Sequence, residues 1–265
     1  MATQRKIGKY DVNKILGSGT YGTVYMISDK NGSNYAAKKM EFSNADLNEI
    51  NMVMRINHPH IIHGTEVIIE DEYIYLIEEL GERLIDSLRM LTTPDKIKYI
   101  YELGSALHFL QLNEITHCDL KINNLLTINK RIILADLGLA SYIDIDASLC
   151  EIIENRAPEY IMLEYPNLIG SLGLKSPNTN FDRYKGQIWT YGILCLDIIY
   201  GRTFAIQEIY SSNDEISIFK ALTSKNFKDI IIGKLGRPST VKLGRLLDLI
   251  FDKLLVINRY TKKEN

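Results

Sequence analysis

The chain has 265 residues, 46% of them hydrophobic and 24% charged, with a formal net charge of −2 at pH 7. That length suffices for one large domain or two lobes sharing a cleft, and the composition is ordinary for a soluble globular protein. Near-balanced charge gives no reason to expect nucleic-acid or membrane binding, and no apolar run approaches the length of a bilayer span.

The start, Met1-Ala2-Thr3-Gln4-Arg5-Lys6, lacks the apolar core of a signal peptide. Three scattered cysteines, Cys118, Cys150 and Cys195, form neither a disulfide framework nor a zinc spacing. A reducing, intracellular setting, cytoplasm or nucleus, is the expectation. Isoleucine fills about one position in seven, a bias that points to an AT-rich coding genome such as that of a large DNA virus or a reduced parasitic eukaryote.

In chain order, Lys14-Ile15-Leu16 and Thr23-Val24-Tyr25-Met26-Ile27 predict two strands flanking a glycine-rich turn. Asn31-Gly32 marks a hairpin turn, and Tyr35-Ala36-Ala37-Lys38 reads as the next strand. Ser43 with Asp46 resembles a capping box opening a helix, with Leu47, Ile50 and Met54 on its apolar face. Val67-Ile68-Ile69 and Tyr73-Ile74-Tyr75-Leu76-Ile77 read as a hairpin. After Gly81 the pattern turns helical. Thr93 before Pro94 starts a helix carrying Ile97, Ile100, Leu103, Leu107 and Leu110. Further helices are expected at 187–200, 214–223 and 240–255. The fold class is therefore α+β with two lobes, β-rich over about 1–80 and α-rich over about 81–265.

Chemistry concentrates in His117-Cys118-Asp119-Leu120-Lys121-Ile122-Asn123-Asn124, followed twelve residues later by Asp136-Leu137-Gly138. Phosphoryl transfer needs a base near the acceptor hydroxyl, a lysine near the moving phosphate and oxygen ligands for magnesium. Asp119, Lys121, Asn124 and Asp136 are the residue types for those tasks. Upstream, Gly17-Ser18-Gly19-Thr20-Tyr21-Gly22-Thr23-Val24 fits G-x-G-x-x-G-x-V, glycines that let backbone N–H groups approach phosphates. The residues after Gly22 are β-branched and aromatic, hence strand, whereas a dinucleotide fold would place a helix there. His58, His60 and His63 lack a carboxylate or cysteine at convincing metal-ligand spacing.

Together these motifs resemble those of the eukaryotic serine/threonine protein kinases. Ala157-Pro158-Glu159, Trp189-Thr190-Tyr191-Gly192 and Arg259-Tyr260-Thr261 extend the resemblance in order from about Lys9 to Thr261. A kinase domain over 9–265 is implied, with ATP and magnesium as cofactors and a protein substrate. It also implies an ion pair between Lys38 and Glu49 that orients the phosphates, Asp119 and Lys121 as catalytic residues, and Asn124 and Asp136 as metal ligands. Adenine would lie between Leu16, Val24, Ala36 and Leu126, beneath the Gly17, Gly19 and Gly22 loop. Ile77 would stand behind the base, with Glu78 and Leu80 giving backbone hydrogen bonds; counting without a gap from His58 shifts these hinge roles by one.

Four departures stand out. Cys118 replaces an arginine that in many kinases grips an activation-loop phosphate, and Ser141–Arg156 contains no threonine, so activity without loop phosphorylation is expected. Leu137 replaces a phenylalanine but remains apolar. Gln187 replaces an aspartate that holds the catalytic loop, and it lacks the charge-assisted strength. Ile152 replaces a threonine near the catalytic aspartate. These departures motivate a rival reading, a pseudokinase acting as a nucleotide-binding interaction module, against which the intact polar set argues. Acidic residues around Ser148 favour a basic substrate, and 163–186 reads as a surface loop.

Overall fold

The computed structural model describes residues 5–19, 22–41, 44–142, 183–203, 227–253 and 255. A six-stranded antiparallel sheet forms the first lobe, in the order β1-β2-β3-β4-β6-β5. Its strands are β1 (Lys6–Ile7), β2 (Tyr10–Gly19), β3 (Gly22–Ser28), β4 (Asn34–Glu41), β5 (Gly64–Glu70) and β6 (Tyr73–Glu79). Helix α1 (Asn44–Arg55) lies between β4 and β5 in sequence. The Asn31-Gly32 turn forms as expected: the Asp29 carboxylate accepts the N–H groups of Asn31 and Ser33, both at 2.9 Å, and Gly32 takes φ +82°.

Period-two alternation divides the sheet into two faces. Tyr10, Tyr25, Ile27, Ala37, Tyr75 and Ile77 pack together on the outer face. Met40 and Leu76 join the core of the second lobe from the inner face, with Met52 and Val53 of α1.

Helix α1 corrects an expectation. Leu47 and Met54 are exposed, at 49% and 38%, whereas Glu49, Met52, Val53 and Ile56 are buried. These four follow the i, i+3, i+4, i+7 spacing of one helical face. The apolar pattern misplaced that face because a charged residue, Glu49, is part of the buried stripe. Ser43 and the Asp46 side chain lie outside the described residues.

The second lobe begins with β7 (Glu82–Arg83) and the short helix α2 (Leu84–Ser87), then the long helix α3 (Thr93–Leu112). The N-cap of α3 is Thr92, one residue earlier than predicted. It forms a reciprocal capping box with Asp95, and Pro94 falls within the first turn, where its missing N–H costs nothing. Then come β8 (Ile115–Thr116), the hairpin β9 (Leu125–Ile128) and β10 (Arg131–Leu134), and β11 (Ser141–Tyr142), which pairs with β8. Helices α4 (Arg183–Tyr200), α5 (Phe227–Leu235) and α6 (Val241–Lys253) complete the described part. Helix α5 was not anticipated, and the helix expected at 214–223 lies outside the described residues. Where α3 crosses α4, a Cβ on Gly104 would meet the Tyr191 hydroxyl at 2.7 Å, so glycine allows the close approach.

Candidate active site

Lys38 on β4 and Glu49 on α1 meet in the cleft. The Lys38 ammonium donates to Glu49 Oε1 at 2.6 Å and Oε2 at 2.9 Å, and to Asp136 Oδ1 at 3.0 Å. Lys38 is 8% and Glu49 3% exposed, so charges this deep require partners. Burial alone would lower the Lys38 pKa, but Glu49 and then Asp136 outweigh it and raise the value above the ordinary lysine range. Burial likewise opposes ionisation of Asp136, and Lys38 overcomes it, leaving that carboxyl below its usual range. Gly138 allows this packing, since a Cβ there would sit 3.1 Å from Glu49 Oε2 and 3.4 Å from Asp136 Oδ1. From the residue beside Glu49, Asn48 donates to the Ala140 carbonyl at 3.0 Å, tying α1 to the end of the Asp136 loop.

Asp119, Lys121 and Asn124 gather on the loop between β8 and β9. Lys121 Nζ is 2.6 Å from Asp119 Oδ2, and Asn124 Nδ2 donates to the Asp119 backbone oxygen at 2.9 Å and to Oδ2 at 3.0 Å. Ala135 N–H donates to the Asn124 carbonyl at 2.9 Å, which sets Asp136 one residue beyond a fixed contact with Asn124. His117, fully buried, receives the Asp119 N–H on Nδ1 at 3.3 Å, so its Nε2–H donates to the Ala135 oxygen at 3.1 Å. Burial lowers the imidazole pKa and keeps the ring neutral. The His117 N–H is itself taken by Gln187 Oε1 of α4 at 2.9 Å. Cys118 and Asp136 both have φ near +63°, a left-handed conformation that costs on the order of 1–2 kcal/mol for a non-glycine residue. Hydrogen bonds on both sides hold the loop there.

Strand register orders the sheet wall of the cleft. Val24 lies opposite Lys38 and Met26 opposite Ala36 across β3 and β4; Leu76 and Glu78 lie opposite Lys38 and Ala36 across β4 and β6. Val24, Ala36, Lys38 and Glu78 therefore share the inner face. Ile77 does not: it is fully buried in the outer-face cluster, so its side chain cannot stand behind the base. Glu78, the residue that the one-residue shift would put there, has its side chain on the inner face. Because side chains alternate, a one-residue error reverses the face. Leu16 is 43% exposed beside a bulge in β2, and Leu126 of β9 packs against Gly81, where a Cβ would approach the Leu126 Cβ at 2.9 Å. Gly22, at φ +112°, is demanded by the backbone, since a Cβ would collide with the Lys39 carbonyl at 2.1 Å. A Cβ on Gly17 would meet no described atom within 4 Å. Leu80 sits half-buried just past β6, and Gly19 pairs with Gly22 at the tip of the β2–β3 hairpin.

The sequence model of the protein kinase domain matches residues 10–251. The chain belongs to the protein kinase domain family. Among its relatives, a probable serine/threonine-protein kinase of Dictyostelium discoideum is 32% identical over 169 residues, covering 58% of this chain and 33% of that protein. Cell division control protein 2 homolog 3 of Trypanosoma brucei brucei is 29% identical over 277 aligned residues, covering 97% of this chain and 88% of that one. Aurora kinase B of Drosophila melanogaster is 26% identical over 254 residues, covering 87% and 72%. The chain thus spans about a third of the Dictyostelium protein's length. Within this family's two-lobed α+β fold, the sheet supplies Lys38, α1 supplies Glu49, and the helical lobe supplies the other four polar residues.

Leu137 is fully buried in the main core, so the residue after Asp136 remains an apolar plug. His58, His60 and His63 are each spent locally, near Ser105 Oγ at 3.3 Å, the Ile132 carbonyl at 3.1 Å and the Ile56 carbonyl at 3.4 Å. Ser148, Cys150, Ile152, Ala157-Pro158-Glu159, Arg259 and the 163–182 part of the expected loop lie outside the described residues. Sequence reasoning did not single out Asn48 or His117 as supports. Their signal is tertiary, a side chain bonded to a backbone carbonyl distant in sequence.

Proposed function

We propose that the chain is a serine/threonine protein kinase that transfers the γ-phosphate of ATP, with magnesium, to a protein hydroxyl. The observation that carries this reading is the joined network Lys38–Glu49–Asp136, which couples both lobes across the cleft. The acceptor hydroxyl gives its proton to Asp119, whose Oδ2 is held by Lys121 and Asn124 and whose Oδ1 has no hydrogen bond to a described residue. Lys121, anchored there, steadies the transferring phosphoryl group; positioning and electrostatics supply most of the acceleration. Magnesium fits Asn124 and Asp136. The Asn124 side-chain nitrogen is committed to Asp119, which leaves the side-chain Oδ1 for the ion, and Asp136 engages Lys38 through one oxygen. Few protein oxygens completed by phosphate oxygens are what this ion takes, and when bound it neutralises charge on the phosphates.

Activity without loop phosphorylation belongs to the same reading. Cys118 turns back on Thr116, its Sγ 3.4 Å from Thr116 Oγ1, and supplies no cation for a phosphate. The first residues of the segment, Ser141 and Tyr142, are already held by strand pairing with β8. A basic protein substrate remains part of the proposal on the sequence of the acidic residues Asp144, Asp146, Glu151 and Glu154. The test is an in vitro assay on a generic basic protein with phosphosite mapping, run beside Asp136→Asn. Phosphoserine and phosphothreonine formed by the wild type alone support the reading; wild-type turnover equal to that of the variant sinks it.

A further inference from the structure

Glu78 is an uncommon residue type for the inner wall of a nucleotide slot otherwise lined by Val24, Ala36 and Leu126. Register fixes its place: it lies opposite Ala36, two residues beyond Leu76, the partner of Lys38. Two residues along a strand are about 7 Å. Glu78 therefore stands between the lysine at the phosphate end and the lobe-connecting residues from Leu80 onward. Its side chain is half-buried on the inner face, and its charge senses Glu49, Lys38 and Asp136. It is not the lysine's counterion, because Glu49 and Asp136 occupy that role at contact distance. Burial first, then the Glu49 charge, raises its pKa to about 8.

We propose that the Glu78 carboxyl reads the nucleobase, selecting adenine over 6-oxopurines by hydrogen bonding to the base edge that carries the 6-substituent and N7. This rests on the nucleotide-binding reading above. Adenine presents a donor at N6 and an acceptor at N7 on that edge; guanine presents two acceptors, O6 and N7. A protonated carboxyl offers one acceptor and one O–H donor and satisfies both adenine groups. It can satisfy only one of guanine's, and sets its own carbonyl oxygen against the other. An ionised carboxylate accepts from N6 and repels both guanine acceptors. Adenine wins in either protonation state, so the selection does not depend on which one prevails.

The experiment compares dissociation constants of ATP, GTP and inosine triphosphate for the wild type, Glu78→Gln and Glu78→Leu, each in the presence of magnesium, with Lys38→Met as the control for slot occupancy. Inosine carries the 6-oxo group without guanine's 2-amino group and so isolates the edge in question. Glutamine offers one acceptor and one donor face, the pairing that suits adenine. The wild type and Glu78→Gln should prefer ATP over inosine triphosphate, and Glu78→Leu should lose roughly tenfold or more of that preference. An unchanged ratio in Glu78→Leu overturns the proposal, as does a wild type that binds ATP and inosine triphosphate equally; the second result needs no folded variant. A wild type that binds no ATP, or binds it independently of Lys38, overturns the kinase reading and this proposal together. Failure of base selection alone therefore stays distinct from failure of the nucleotide site.

Discussion

Gln187 Oε1 accepts the backbone N–H of His117 at 2.9 Å, linking helix α4 to the loop that carries Asp119 with one neutral hydrogen bond. His117 is fully buried, so without that acceptor its N–H would be left unpaired at a cost of about 1–3 kcal/mol. Gln187→Ala should therefore lower kcat while leaving the KM for ATP nearly unchanged, because Lys38, Ala36 and Val24 lie on other elements. Steady-state kinetics with varied ATP check this. A rise in KM with kcat intact would contradict it.

Lys38 is the shared counterion of two carboxylates. Lys38→Met removes it and leaves Glu49, only 3% exposed, beside Asp136. Transfer should be abolished. Thermal unfolding of the variant should remain cooperative but fall in midpoint, since breaking a buried pair costs about 3–5 kcal/mol before one carboxyl protonates. Protonation relieves part of that cost, so the deficit should shrink as pH is lowered towards 5. A deficit that grows on acidification would refute this account.

Glu78 gives a pH dependence of the opposite sense. Its folded-state pKa of about 8 lies above the ordinary glutamate value of 4.5, so between these limits the folded state binds more protons than the unfolded one. Stability from this group is full below the lower value and declines as pH rises towards 8, by up to roughly 1.4 kcal/mol per pH unit. Glu78→Gln should gain on the wild type in denaturant midpoint from pH 5 to pH 9. Parallel profiles would show that the carboxyl is not held protonated.

Gly138→Ala should displace the Glu49 carboxylate from Lys38, because the added Cβ falls 3.1 Å from Glu49 Oε2. Activity should drop, with a smaller loss of unfolding midpoint than in Lys38→Met, as the neighbour is the end of a side chain that need yield only a few tenths of an ångström. Equal turnover for Gly138→Ala and the wild type would show that the network tolerates the methyl group.

Phosphatase treatment should leave most activity intact, given a thiol in place of a guanidinium at Cys118. The comparison is the initial rate of protein expressed with and without phosphatase. Loss of most activity on treatment would reverse the expectation.

The revised face of α1 has its own check. Val53→Ala should destabilise by about 1–3 kcal/mol, whereas Leu47→Ser should be close to neutral, because Val53 is fully buried and Leu47 half exposed. Urea denaturation distinguishes them.

Asp119, Lys121, Asn124 and Asp136 were legible in the sequence because local chain geometry fixes them: one loop and one hairpin set their separations, whatever the rest of the fold does. The larger strands of the first lobe and helix α3 were legible for the same reason, from period-two runs, turns and caps, whereas helix α5 was not. Lys38 with Glu49 could be paired from sequence only through the family resemblance, since no local rule joins a strand to the next helix. Ile77 and Glu78 show the limit more sharply. They are chain neighbours on a strand, and only pairing with β4 decides which one faces the cleft. Likewise the face of α1 followed the buried ion pair, not the apolar count. Sequence determined which groups are present and their short-range spacing; tertiary packing alone decided which side of each strand and helix they occupy, because one residue of register turns a side chain from the core to the site.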